Sequence, residues 1–315
     1  MNGVPVTILA GFLGSGKTTL LNRILSGPEG RGCAVVVNEF GEMSVDGLLV
    51  VSSDEEVLEL ANGCVCCTVR GDLVRTVREL LARAERKGTH YTRIVVEASG
   101  LASPGPVHQT FRLDPVLAAA TRPARIVTVV HAAHVGRQLE EYAEAAEQIG
   151  FADAIVLGHV DEVDAAAADA AEARCRSINT LAPIRRAVRG ELDVASLLDG
   201  GDADPERWRL VAATSASHTS RVSSVVLEHG GPVDLHRLKI WLQFVAARRD
   251  WDVLRMKGVV RAKGRNEAVV VQAVHQVLEI GPGPGPAPPR SAIVVIGRDL
   301  DEGVLRTGWD RVVSD

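Results

Sequence analysis

Three short stretches carry residue types that can do chemistry: "GFLGSGKT" at residues 11–18, "NGCVCC" at residues 62–67 and "RIVVEASG" at residues 93–100. The first has the eight-position spacing of a phosphate loop and stands between an apolar run and a helical pattern. Gly11, Gly14 and Gly16 let the backbone wrap closely, so that its N–H groups and the start of the next helix face phosphate oxygens. Lys17 is placed to neutralise the β- and γ-phosphates and Thr18 to bring its hydroxyl to Mg²⁺, with Ser15 and Thr19 as further phosphate contacts. In the third stretch Glu97 falls at the end of an apolar strand, where it can hold the metal's water shell or order an attacking water. Lys17 and Glu97 are therefore the candidate catalytic residues.

The second stretch gathers Cys64, Cys66 and Cys67, three of the chain's five cysteines. Thiolates two apart in an extended segment point to one side, and Asn62-Gly63 offers a bend that brings in the third. Three thiolates leave one position of a tetrahedral zinc site for another ligand, water or a second chain, which suits a carrier better than a permanent structural ion. Sulfur disfavours Mg²⁺ and Ca²⁺ but does not separate zinc from copper(I) or cobalt. A redox switch built on vicinal thiols is the competing reading. Cys33 and Cys175 stand alone in apolar patterns and read as small core residues. The nine histidines form no dense tract, and His131, His134, His229 and His236 read as ordinary surface or core residues.

These groups need elements to position them. At 315 residues, 46% hydrophobic and 24% charged, the chain can build one full domain and a smaller second one. Aromatics are only 3%, so packing rests on Val, Leu, Ile and Ala, as in a parallel sheet covered by helices. The net charge of −5 lacks the basic field that nucleic acid attracts. The start of the chain has no cleavable leader pattern, and no apolar run approaches the ~18 residues of a membrane span. A cytoplasmic protein without a nucleic-acid or membrane partner is expected.

Continuous apolar runs ("VPVTILAG", "CAVVVNEF", "RIVVEAS", "ARIVTVVHA", "ADAIVLGHVD") alternate with helical patterns, including single helices over residues 136–149 and 164–179. This predicts an α/β fold, a doubly wound, mostly parallel sheet of the P-loop NTPase type, over residues 1–199. Turn formers mark a linker at 200–218, and strands with two helices predict a smaller α+β domain over 219–315. The "GPGPGPAPP" tract reads as an exposed, stiffened loop.

With "GFLGSGKTT", "VVVNEFGEMSVD", "NGCVCC", "VVEASG" and "IVLGHVDEVD" in this order, the sequence resembles the CobW-like branch of the P-loop GTPases, relatives of the HypB and UreG nickel chaperones. "VDLHRLKIWL", "VLRMKGVV", "VQAVHQV" and "SAIVVIGRDLD" resemble the CobW C-terminal domain. The resemblance implies GTP hydrolysis, with GTP/GDP and Mg²⁺, coupled to holding a transition metal, most often Zn²⁺, and delivering it to a client metalloprotein. A homodimer that completes the metal site is a further expectation. On the family's pattern Cys64, Cys66 and Cys67 bind the metal, with Glu39 as a candidate ligand and Asp46 as a candidate for the Mg²⁺ shell. The family's Asn-Lys-X-Asp base element falls on Gly158, His159, Val160 and Asp161, which keeps the guanine-reading carboxylate of Asp161 and loses the Asn and Lys. That departure leaves two alternatives: a nucleotide-dependent metal sensor or adaptor with little turnover, and a less base-specific nucleotidase.

Overall fold

The computed structural model describes residues 3–38, 49–52, 57–59, 69–122, 124–189, 191–199 and 221–314. Glu39, Asp46, Cys64, Cys66 and Cys67, and the expected linker, lie outside them. The chain divides into two compact units: unit 1 is Met1–Gln148, Ala152–Glu172 and Pro183–Gly200, and unit 2 is Ile149–Phe151, Ala173–Ala182 and Gly201–Asp315.

The first unit is built on an eight-stranded sheet. Its strands are β1 (Val6–Ala10), β2 (Cys33–Asn38), β3 (Leu49–Ser52), β4 (Val57–Glu59), β5 (Arg93–Ala98), β6 (Arg125–His131), β7 (Ala154–Gly158) and β8 (Ile184–Arg186), in the order β4-β3-β2-β5-β1-β6-β7-β8. The six strands from β2 to β8 in that order run parallel, while β3 and β4 are antiparallel additions at one edge. Every residue of β1, β5 and β7 is buried, which is why these strands read as unbroken apolar runs. Helices α1 (Lys17–Ser26), α2 (Val69–Lys87), α3 (Pro104–Leu113), α4 (Pro115–Ala120), α5 (Val135–Glu141), α6 (Ala143–Phe151), α7 (Ala165–Ile178) and α8 (Val194–Asp199) follow or connect the strands. Leu20, Leu21 and Ile24 of α1 pack into one apolar cluster with Leu9, Val35, Val95, Val127 and Val156. Cys33 and Cys175 are both fully buried, as their apolar settings predict.

Proline and one tyrosine punctuate the helices. Pro115 has no N–H to continue α3 and restricts the residue before it, so Asp114 becomes an N-cap, accepting from Val116 N (3.1 Å) and Leu117 N (3.0 Å). The single helix expected over residues 136–149 is instead two, α5 and α6, separated at Tyr142 in extended conformation. The break sets the Tyr142 ring against that of Phe12, with centroids 4.8 Å apart. Local propensity favours one helix there, and a tertiary ring contact accompanies the break.

The second unit carries a five-stranded antiparallel sheet in the order β12-β11-β10-β13-β9, formed by β9 (Val222–His229), β10 (Asp252–Arg261), β11 (Glu267–Val274), β12 (Val277–Pro286) and β13 (Ser291–Arg298). Helices α9 (Leu235–Ala247) and α10 (Glu302–Val313) place Leu238, Trp241, Leu242, Leu305, Trp309 and Val312 in one core with Val225, Met256, Val271 and Ile293. The Gly-Pro tract corrects the expectation of a loop, because residues 281–286 complete β12 and pair with β11. Pro282, Pro284 and Pro286 alternate with glycines, so the side of an edge strand that lacks N–H groups faces away from the ladder.

Candidate functional site: a phosphate cradle beside a histidine-lined loop

The site lies where the parallel strands end. Leu9 of β1 stands in register with Glu97 of β5, and Ala10 with Thr128 of β6, so the loop leaving β1 emerges at the carboxyl edge of the sheet. Gly11 (φ 144°), Gly14 (φ 71°) and Gly16 (φ 97°) all hold positive φ, a region that favours glycine. At Gly11 there is also no room for a side chain, because a β-carbon would come within 2.3 Å of the Val129 carbonyl oxygen.

Gly16 is the N-cap of α1 in the left-handed region, and no side chain caps the helix. Uncapped N–H groups and the helix dipole therefore point into the loop, which makes an anion cradle. Lys17 Nζ donates to the carbonyl oxygens of Gly11 (2.8 Å) and Phe12 (3.3 Å), folding its ammonium over the same loop. Burial pushes the Lys17 pKa down, and the carboxylate of Glu97 partly opposes that. Thr18 Oγ1 donates to Glu97 Oε1 at 3.1 Å. Ser15 is buried, and its hydroxyl has no hydrogen-bond partner among the described residues. Thr18, Thr19 and Gly14 are exposed. A hydroxyl and a carboxylate meeting beside the lysine form an oxygen donor set that suits Mg²⁺ and its water shell.

The base-element segment follows β7. Gly158 lies beside the phosphate loop, and a β-carbon there would be 3.8 Å from the Ser15 carbonyl oxygen, ordinary contact. His159 adopts the left-handed region (φ 58°), which brings Nε2 within 3.3 Å of the position a β-carbon on Gly16 would take. Asp161 follows, exposed, in a single 3₁₀ turn over Val160–Glu162.

Three residues to which the sequence reading gave no role in the site, His131, His134 and Glu162, join this corner. His131 ends β6 in register with Gly158, and its ring stacks on that of His159 with centroids 3.9 Å apart and planes 4° from parallel. The His134 ring lies 4.1 Å from that of His131. Glu162 bridges the stacked pair, one oxygen 2.8 Å from His159 Nδ1 and the other 3.6 Å from His131 Nε2. The Ala133 N–H donates to His131 Nδ1 at 3.3 Å, so Nε2 is the nitrogen turned to the carboxylate. Burial, followed by the neighbouring His159 and His134, lowers the His131 pKa. The hydrogen bond with His159 lowers that of Glu162. The usable signal lay in "VVHAAH" and "GHVDE", which end adjacent parallel strands and so meet at one edge.

Lys17, Thr18 and Glu97 are thus brought together, with Gly11, Gly14, Ser15, Gly16 and Thr19 around them, and Asp161 lies in the segment that abuts the same loop. Residues 5–186 match the CobW/HypB/UreG nucleotide-binding domain, and residues 222–313 match the cobalamin synthesis protein cobW C-terminal domain. The zinc chaperone YjiA of Escherichia coli is 32% identical, with 98% of each chain covered. The zinc-regulated GTPase metalloprotein activator 1 of Schizosaccharomyces pombe is 32% identical over 76% of this chain and 61% of its own length. The crystal structure of Zn(II)-bound YjiA GTPase from E. coli superposes with a TM-score of 0.77 at 28% identity, covering 100% of both chains. A Zn(II)-bound triple mutant of YjiA gives 0.80 at 27% identity, again over the full length of both. Matched in both of its parts and along its whole length, the chain belongs to the CobW family of P-loop proteins.

Proposed function

We propose that the chain binds and hydrolyses GTP to GDP and phosphate, and uses nucleotide state to hold a zinc ion and hand it to a client metalloprotein in the cytoplasm. The Thr18–Glu97 hydrogen bond beside Lys17, in a chain whose relatives are named zinc chaperones and zinc-regulated GTPase activators, carries the reading.

In this reading the N–H groups around Gly14 to Thr19 and the α1 N-terminus receive the phosphates. Lys17 releases the Gly11 and Phe12 carbonyls to meet the β- and γ-oxygens, and Asp161 accepts from the guanine N1–H and amine. Mg²⁺, when bound, would be held by Thr18, Glu97 and Asp46 and would supply charge neutralisation for the phosphates. Glu97 also orients the attacking water.

Cys64, Cys66 and Cys67, with Glu39, form the proposed cargo site, in which thiolate sulfur selects a borderline or soft ion. Support comes from the strand register: β2 ends at Asn38 opposite Ala98 of β5. Asn38 thus stands at the edge of the sheet where Glu97 stands. A segment that leaves that edge can respond to the γ-phosphate, so hydrolysis would alter metal affinity. A second copy of the chain can complete the coordination.

Zinc affinity measured with a non-hydrolysable GTP analogue and with GDP tests the coupling. The expected result is a difference of at least about tenfold, or ~1.4 kcal/mol, and equal affinities would sink the claim. The altered Gly158-His159 pair favours a second reading, a less base-specific nucleotidase. Competition of ATP against GTP decides it, with guanine preference supporting the first reading.

A further inference from the structure

The thiolates are not the only metal-ligand types in this protein. His131, His159 and Glu162 each offer a ligand atom, and these atoms all lie within 4.8 Å of one another. The two nitrogens are turned to the same carboxylate, His159 Nδ1 at 2.8 Å and His131 Nε2 at 3.6 Å. Two imidazoles and one carboxylate form a nitrogen and oxygen donor set suited to a borderline divalent cation such as Zn²⁺, Co²⁺ or Ni²⁺.

We propose that His131, His159 and Glu162 form a second, thiolate-free transition-metal site, and that an ion bound there opposes nucleotide binding by drawing His159 away from the phosphate loop. The competition rests on the GTP reading above, whereas the metal site does not.

The exposure of the three groups is graded in the way such a site needs. The His131 side chain is only 6% exposed and serves as a fixed anchor, while Glu162 is 53% exposed and His159 34% exposed. In the stacked arrangement the rings are parallel, so their nitrogens do not converge. A tetrahedral ion with bonds of ~2.0–2.1 Å needs donors about 3.3 Å apart with lone pairs aimed at one point. Rotation of the partly exposed His159 ring and of the exposed Glu162 supplies this. Rotation costs the ring stack, and ligation through His131 Nε2 puts the proton on Nδ1 and so costs its bond from the Ala133 N–H, which places the site below a three-thiolate cluster in affinity. The same rotation moves Nε2 from its position beside Gly16, and so removes the ring from the wall that the base would face. An ion held by these three side chains and the nucleotide thereby compete.

The test uses the full-length chain with Cys64, Cys66 and Cys67 all changed to serine, so that the remaining sites are read without thiolates. Equilibrium dialysis against buffered Zn²⁺ is expected to show one retained ion. Dialysis with Co²⁺ is expected to give d–d absorption without sulfur-to-metal charge transfer. Adding His159→Gln, at a partly buried position, or Glu162→Gln, at an exposed one, is expected to weaken binding at least tenfold, with far-UV circular dichroism unchanged. Retention of the ion at the same affinity in both variants would overturn the site. With free zinc buffered, affinity for a fluorescent GDP analogue is expected to fall severalfold on zinc addition in the triple-serine protein and not in its His159→Gln derivative. A zinc-independent nucleotide affinity overturns the competition. Absence of nucleotide binding in the unaltered chain would overturn the GTP reading and, with it, the competition, while leaving the dialysis result to decide the metal site.

Discussion

Lys17 stands under two opposing influences, burial that lowers its pKa and the charge of Glu97 that raises it. Glu97→Gln keeps the shape and removes the charge, so Lys17 loses its stabilising partner and its pKa falls further. The protonated form that meets phosphate is then lost at lower pH, and the alkaline limb of the GTP-binding profile moves toward neutrality. On the proposal that Glu97 orients the attacking water, the same variant is expected to reduce kcat by about 100-fold. A pH series of nucleotide affinity with single-turnover hydrolysis checks both, and an unmoved alkaline limb would show that Glu97 does not support the lysine. At Gly158 the backbone has ordinary space for a side chain. Gly158→Asn is expected to tighten GTP binding by about tenfold, the worth of one or two polar contacts, measured by displacement of a fluorescent analogue. A loss of affinity would mean that the base is read elsewhere.

At the scale of the element, the buried strands β1, β5 and β6 were legible because both of their faces are covered and their sequences are continuous apolar runs. The break between α5 and α6 was not legible, since Ala143 to Ala146 are good helix formers and the contact to Phe12 comes from far along the chain. The Gly-Pro tract was misread because proline signals a loop wherever both sides of a strand must pair, and only strand order reveals that β12 is an edge. The phosphate loop was fully written in its residues, whereas the joining of His131 and Glu162 required the register of β6 on β7. Tight packing allows a further test in α10. A β-carbon on Gly308 would meet Trp241 Nε1 at 2.2 Å, and the indole is held in a core with Trp309. Alanine ordinarily gains about 1 kcal/mol over glycine inside a helix, yet Gly308→Ala is expected to lower the thermal midpoint. A raised midpoint would show that the two helices separate at little cost.

For the whole molecule, two units divide the work implied by family membership: the first carries the phosphate cradle, and the second contributes a sheet with its own core of tryptophan and aliphatic side chains. No described helix is long and apolar enough to cross a membrane. If the cysteines hold the cargo ion, Cys66→Ala is expected to reduce tight zinc stoichiometry by one per chain while leaving GTP affinity in zinc-free buffer unchanged. Equilibrium dialysis checks this, and an unchanged tight stoichiometry would move the cargo site away from these residues. The proline-bearing edge of β12 has a consequence for how copies of this chain meet. An edge strand is a template for adding a neighbour's strand, and a side without N–H donors cannot template one. Copies of the chain therefore cannot zip into extended sheets along residues 282–286, and replacing Pro282 and Pro284 with valine would turn that closed border into an open one.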